Sequence, residues 1–300
     1  MATQIKQLIE FRTDFFSDET QQQLARWNER RLAPRLPDDP SPQGNQEGQR
    51  LLGLEADFLQ ALRDDVRAEA AMAPRDPDGF VLWFENLEKV GAGQHDPLFS
   101  WLRDEASLDE VRWFLCQEAA GEAGFDDLTA YTQVKLPPRI KLELARNYWD
   151  EMGRGNIKGM HGPMLQRLVE ALEIRPSIAG TCWESLTLAN AMTAMATRRE
   201  YAWHAVGALG VIELTAPARS AAVAAGLKRL GVPAKVRLYF DLHATLDVKH
   251  SAAWNAEAIH PAVADYPRLA PAIAEGALMR LRCGARCFKR YRRELWSPAG

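Results

Sequence analysis

Apolar residues recur along most of the chain at intervals of three and four positions, which places them on one face of an α-helix. No segment shows the alternation of β-branched and polar residues that is typical of strands. The predicted helices cover residues 5–32, 51–71, 79–90, 107–123, 138–152, 162–173, 183–206, 208–229, 234–256 and 267–294. The pattern therefore predicts an all-α fold, a compact multi-helix bundle.

Proline and glycine divide this helical pattern. Residues 33–48 contain four prolines and two glycines, which is typical of a linker or an ordered arm. Ser107 and Glu110 predict a capping box at the start of a helix, and Pro217 is expected to interrupt the helix around it. We predict that N-terminal helices and a Pro-rich linker over residues 1–95 pack on a core domain over residues 96–300.

The composition excludes several classes of protein. With 47% apolar residues the chain can bury a sizeable core, and a formal charge of -3 gives no reason to expect binding to nucleic acid or to an acidic membrane. The N-terminus lacks a basic start followed by an apolar run, and no run of about 18 apolar residues is present. Four scattered cysteines indicate neither disulfides nor a zinc site. We predict a cytoplasmic protein; a homodimer is compatible with the sequence, which does not fix the oligomeric state.

The segment YFDLHATLDVKH carries the most informative chemistry, because His243, Asp247 and His250 share one stripe of a predicted helix. Two imidazoles and one carboxylate suit iron, manganese or zinc. Apolar neighbours such as Leu238 and Val236 predict that this stripe faces a packed interior. A solvated helix face with two surface histidines is the alternative interpretation.

Two other segments offer further ligands. Glu213 is the only charged residue between Glu200 and Arg219, so it needs a buried cation or a metal; a charge at a helix bend near Pro217 is the alternative. Glu151 and His161 are ten residues apart, which on a straight helix means about 15 Å.

These two side chains can bind one ion only if the chain folds back between them. The intervening glycines permit such a break; a loop or N-capping role is the alternative for His161. With the stripe, these residues make three carboxylates and three imidazoles, a count that suits two irons with open positions for dioxygen. No pair of Glu-x-x-His motifs is present, so a ferritin-like bundle is not supported.

The order of these motifs, E-x9-H at Glu151 and His161, then Glu213, then H-x3-D-x2-H, resembles the heme-oxygenase-like diiron oxidases. The phrases QEAAGEAGFDDLTAYTQVKLP and KLELARNYWDEMGRGN are also similar to that group, and the resemblance covers roughly residues 95–260. It implies a heme-oxygenase-like multi-helix bundle with an N-terminal helical extension. It also implies that Glu151, His161 and His243 hold one iron, and that Glu213, Asp247 and His250 hold the other.

Relatives of this kind use dioxygen to N-oxygenate amines, to desaturate or fragment amino acids, or to decarboxylate fatty acids. Some add a further carboxylate ligand, for which Glu118 and Glu122 are candidates, with Asp126 or Asp127 less favoured. The resemblance therefore implies a dioxygen-dependent nonheme diiron oxidoreductase, and we predict that it acts on a small amine or amino acid. An external electron donor is compatible with this activity, but the sequence does not identify one. The sequence does not identify the substrate; Arg198, Arg199 and Lys249 could hold a substrate carboxylate, although ordinary exposed basic residues are the favoured interpretation.

Three other functions stay open at this point. Heme oxygenase needs an axial histidine near the N-terminus, and the first histidine here is His95. A metal-free enzyme of the thiaminase or cofactor-oxidase type would not require six chelating residues. A helical binding protein would dock a partner through its basic C-terminus, which contains Arg286, Lys289, Arg290, Arg292 and Arg293.

Overall fold

The structure is a computed structural model that describes residues 14–121 and 124–296. Within these ranges the chain forms thirteen α-helices and no strand, so the all-α prediction is confirmed. The helices are α1 (Asp18–Leu32), α2 (Gln46–Ala70), α3 (Pro77–Val90), α4 (Pro97–Asp104), α5 (Leu108–Gly121), α6 (Phe125–Thr132), α7 (Pro138–Glu151), α8 (His161–Ala171), α9 (Trp183–Thr197), α10 (Ala202–Arg229), α11 (Ala234–Trp254), α12 (His260–Asp265) and α13 (Ala270–Leu295). Residues 5–13 of the first predicted helix lie outside the described residues.

Helix α10 lies at the centre of the bundle, packed chiefly against α11 and α13, with α4 beside its second half. It is apolar on nearly all sides, as a fully surrounded helix must be. By length and composition alone the segment Arg199–Arg229 could cross a membrane, but half of its most apolar window is buried inside the bundle. A central core helix has the same composition.

Two glycines let α10 and α13 cross with their backbones in contact. A Cβ added at Gly207 would lie 1.9 Å from the carbonyl oxygen of Ile273, and one added at Gly276 would lie 1.9 Å from that of His204. Each glycine of the pair therefore faces the backbone of the opposite helix, and no larger residue fits at either position. This crossing fixes the helix that carries Glu213.

The N-terminal helices pack on this centre. Helix α1 contacts α9, and α2 contacts α13. A buried ion-pair network joins them, in which Glu55 accepts from Arg31 at 2.8 Å and from Arg198 at 2.7 Å. The main apolar core contains side chains from both sides of residue 95, and the predicted boundary at that residue stays a prediction.

The predicted interruption at Pro217 is wrong, because α10 continues through it. Proline removes the backbone hydrogen bond to the carbonyl four residues earlier, that of Glu213, and its ring crowds that carbonyl. Buried residues on both sides of Pro217, such as Thr215 and Ser220, compensate for this cost and keep α10 one helix. The predicted helix over 183–206 is instead two helices. They are separated by a 3-10 turn, Arg199–Tyr201, which follows an extended residue, Arg198.

The capping box is present as predicted. The backbone nitrogen of Ser107 donates to Glu110 Oε2 at 2.7 Å, and the backbone nitrogen of Glu110 donates to the Ser107 hydroxyl at 3.4 Å. Helix α5 therefore starts at a fixed point. This matters for the site below, because α5 carries Glu118.

We predict opposite effects for two Gly→Ala substitutions in helices. Gly276→Ala should lower the free energy of unfolding by about 1–3 kcal/mol, because its Cβ would overlap the His204 carbonyl. Gly53→Ala on α2 meets no atom within 4 Å and should raise the free energy by about 0.5–1 kcal/mol. Urea unfolding measures both values. A neutral or stabilising Gly276→Ala would contradict the contact between α10 and α13.

Candidate metal centre

The stripe on α11 faces inward, as predicted. Asp247 and His250 are buried and His243 is half-buried. The apolar residues around it are less buried than expected, with Leu238 40% and Val248 58% exposed. The stripe therefore forms a polar face on a helix that is only partly enclosed, instead of lying within a packed interior.

The chain folds back between Glu151 and His161, as the glycines predicted. Glu151 ends α7 and His161 begins α8, and two short 3-10 turns and a Met152–Met160 bridge lie between them. Gly153 has a φ of 59°, and a Cβ there would lie 2.3 Å from the carbonyl carbon of Gly159. The reversal brings Nδ1 of His161 to 2.6 Å from Oε2 of Glu151.

Glu213 reaches the same point from α10. It is 2% exposed, and its Oε1 accepts a hydrogen bond from Nδ2 of Asn147 at 2.5 Å. Its Oε2 lies 3.4 Å from Nδ1 of His250. Asn147 is one helical turn before Glu151 on α7, so one face of α7 both supplies a carboxylate and positions another.

These side chains form two groups with metal-binding geometry. Glu151, His161 and His243 can offer three ligand atoms within 4.8 Å of one another, and so can Glu151, Glu213 and His250. Glu151 belongs to both groups, so the two groups are adjacent and share one carboxylate residue. Asp247 is not part of either group at this distance, but it lines the same cavity and is 2% exposed.

Burial and mutual repulsion govern the protonation of these acids and bases. Burial, with the neighbouring Glu213, raises the pKa of Glu151 well above its usual range and that of Asp247 to about 9. Burial and neighbouring histidines lower the pKa of His161 and of His243 to about 4. These two imidazoles are thus neutral at physiological pH, the form in which histidine binds a metal.

Outer hydrogen bonds fix which nitrogen of two imidazoles faces the centre. Nδ1 of His243 donates to the Tyr239 carbonyl at 2.7 Å, which leaves Nε2 free. Nε2 of His250 lies 3.1 Å from Oδ2 of Asp150, so Nδ1 of His250 is the nitrogen that faces the centre. Burial by itself lowers the pKa of His250. Contacts with Glu213 and Asp150 outweigh burial and raise that pKa to about 9. The carboxylate–histidine pair is the arrangement that orients metal ligands. This role of Asp150 could not be predicted from the sequence.

Buried polar atoms without hydrogen-bond partners also indicate that this centre fits a divalent cation. Nδ1 of His161, Nδ1 of His250 and Oδ1 of Asp247 are buried, and among the described residues none has a hydrogen-bond partner. Nδ1 of His161 and Oε2 of Glu151 lie 2.6 Å apart, but the contact lacks the direction of a hydrogen bond. Donor atoms that converge without bonding to one another suit a shared cation, and carboxylates with imidazoles suit iron.

A cavity of about 200 Å³ opens on this centre. Its wall is largely apolar, and Glu118, Arg219 and Arg280 also line it. Glu118 accepts a hydrogen bond from the Tyr291 hydroxyl at 2.8 Å and belongs to neither metal-binding group. Glu122 lies outside the described residues, so an additional ligand from α5 stays a prediction.

Comparisons with known proteins support this fold and membership in a family of iron-containing enzymes. The model of a family described as iron-containing redox enzymes matches residues 112–285. The chain belongs to that family. A CADD-like protein of unknown function from Nostoc punctiforme has a similar structure, with a TM-score of 0.52 and 18% identity over 80% of this chain and 99% of the other. At that identity the likeness shows the heme-oxygenase-like fold alone. No curated protein matches the sequence.

The basic residues considered for a substrate carboxylate have other roles or lie on the surface. Arg198 pairs with Glu55, and Arg199 donates to backbone carbonyls at the end of α6, including that of Tyr131 at 3.0 Å. Lys249 is exposed. Sequence reasoning missed Arg219 and Arg280, which do line the cavity.

Two Asp→Asn substitutions should change the stability of the metal-free protein in opposite directions. The raised pKa of Asp247 means that its unfolded form ionises at neutral pH while its folded form keeps the proton, which opposes folding. Asp247→Asn should therefore raise the free energy of unfolding by about 1 kcal/mol or more. Contacts with Arg154 and His250 outweigh burial and lower the pKa of Asp150, so Asp150→Asn should destabilise the fold.

Urea unfolding in the presence of EDTA checks both signs. Equal losses of stability in the two variants would mean that Asp247 has a favourable partner in the metal-free protein.

Proposed function

We propose that the protein is a nonheme diiron oxidase or oxygenase that activates dioxygen to oxidise a small amine or amino-acid-like substrate. The reaction would be N-oxygenation, desaturation or cleavage. One observation carries the proposal: two groups of ligand atoms share Glu151 and open on one cavity. The family match, to iron-containing redox enzymes, supports the choice of metal.

The proposed division of ligands combines the two groups with the assignment that the family resemblance implies, which adds Asp247 to the second group. Glu151, His161 and His243 would hold one iron, and Glu213, Asp247 and His250 the other, with Glu151 shared. When bound, two ferrous ions would supply electrons and open coordination positions for dioxygen.

The chain's own residues bind, orient and exclude water. Asp150 and the Tyr239 carbonyl hold two imidazoles in one orientation, and Asn147 holds Glu213. The apolar wall of the cavity, which includes Ile212 and Phe240, would bind the substrate body and keep water from the reacting atoms.

The remaining assignments are proposed from the sequence. We propose a cytoplasmic enzyme with a small-molecule substrate and an external electron donor, without nucleic-acid or membrane partners. A homodimer is part of the proposal.

The alternative of a binding protein that docks through its basic C-terminus has less support. Arg286 lies 3.2 Å from Asp65, and Arg290 lies 2.7 Å from Glu294. Arg292 pairs with Asp96. Because these cations already have partners within the chain, they contribute less free charge than the sequence suggests. Iron uptake distinguishes the other alternative, a metal-free enzyme on the same fold.

Anaerobic titration of the metal-free protein with Fe(II) tests the proposal. We expect saturation near two irons per chain, followed by a transient visible absorbance after a pulse of dioxygen. His243→Ala and Asp247→Ala should each lose iron while staying helical, since each removes a ligand. The matched control is His260→Ala, which removes a half-exposed histidine that lies 3.1 Å from Asp78.

Circular dichroism reports the helix content of every variant. Full iron retention in His243→Ala and Asp247→Ala would refute the ligand assignment. No iron uptake by the unsubstituted protein would favour a metal-free enzyme or a binding protein.

A further inference from the structure

The cavity has a second polar region besides the metal centre. Glu118, Arg219 and Arg280, here called the arginine cluster, line it together with apolar residues such as Phe99 and Phe288. Arg219 is six positions after Glu213 on α10, so their Cα atoms lie about 9 Å apart along the helix axis and their side chains point about 120° apart around it. The two polar regions are therefore distinct parts of one wall.

Arg219 is held in place without a carboxylate partner. Its Nη2 donates to the Thr215 hydroxyl at 2.9 Å, and its guanidinium carbon lies 5.5 Å from the centre of the Phe288 ring. Burial and the neighbouring Arg280 lower its pKa to about 9. Among the described residues no acid forms an ion pair with it.

Arg280 occupies a space that a glycine leaves open. A Cβ at Gly284, one turn further along α13, would lie 2.9 Å from Nη1 of Arg280. The Nε atom of Arg280 is buried and lacks a hydrogen-bond partner within the described part of the chain. A buried guanidinium nitrogen without a partner is costly, and here it borders the cavity.

Glu118 does not balance these charges. Burial raises its pKa, while the Tyr291 hydroxyl, Arg280 and Arg219 favour its charged form. Glu118 is half-buried and lines the cavity. Even when Glu118 is ionised, the cluster holds two positive charges against one negative charge, so one further negative charge would neutralise it.

We propose that the arginine cluster is an anion subsite that binds the carboxylate of the substrate. Guanidinium groups match a carboxylate with paired, charge-assisted hydrogen bonds, and the apolar wall accommodates the substrate body. The substrate is thus a monocarboxylate that presents its opposite end to the metal centre. The orientation rests on the proposed function, whereas carboxylate binding requires no metal.

Calorimetric titration of the EDTA-treated full-length protein tests the subsite with hexanoate and hexan-1-ol, which share one carbon chain. Hexanoate should bind at least about tenfold more tightly. Arg219→Gln and Arg280→Gln should each weaken hexanoate binding about tenfold or more and leave hexan-1-ol unchanged. Glu118→Gln should tighten hexanoate binding, because it removes the competing negative charge.

Arg282→Gln is the matched control, because Arg282 lies on the same helix but pairs with Glu69 at the surface. It should leave both affinities unchanged. Thermal unfolding reports whether each variant folds, and Arg219→Lys and Arg280→Lys keep the charge if a glutamine variant does not fold. The sign of the Glu118→Gln effect provides an independent check.

Equal binding of hexanoate and hexan-1-ol would overturn the proposal. So would hexanoate affinities within about twofold of the unsubstituted protein in both arginine variants. A preference for hexanoate in a protein that takes up no iron would retain the subsite and reject the oxidase. Iron uptake without that preference would reject the subsite alone.

Discussion

Three carboxylates buried at one point are the constraint on which the rest of the site depends. Glu151, Glu213 and Asp247 are each at most 5% exposed, and among the described residues none pairs with a lysine or an arginine. Burying such charges unpaired costs several kcal/mol, on the order of the stability of a domain. The chain lowers that cost by holding protons, as the raised pKa of Asp247 shows. A divalent cation would remove the need for these protons.

The scaffold around this point makes such a concentration of acids geometrically stable. Glu213 lies on the central helix, whose position the glycine crossing with α13 fixes. Glu151 and His161 are the last and first residues of two helices joined by a tight reversal, so neither depends on a flexible loop. Helix α11, which supplies the other three proposed ligands, is only partly enclosed. The site therefore combines ligands at a helix reversal and on the central helix with ligands on a partly exposed helix.

Much of this candidate site could be predicted from the sequence, because its polar residues lie in apolar helical segments. A lone glutamate in an apolar helix and a His/Asp/His stripe stand out from any amphipathic pattern, and glycines marked the reversal that joins Glu151 to His161. Arg219 and Arg280 gave no such signal, because arginine is common near helix ends and on helix surfaces. Only the packing of α10 against α13 places them at one cavity. Asp150 was equally hidden, since its role depends on a contact with His250, 100 residues away.

The separation of charge within the cavity has a chemical consequence. A carboxylate is itself a good ligand for iron, so a free substrate acid would compete with dioxygen for open coordination positions. The arginine cluster would offer that acid a better site on another part of the wall, where two guanidinium groups face one carboxyl group and form no ion pair among the described residues. The acidic centre, in turn, repels the carboxylate whenever its own charges exceed those of bound cations. Both effects would direct the acid end of a substrate away from the proposed metal ligands, so that the uncharged body of the substrate would approach them.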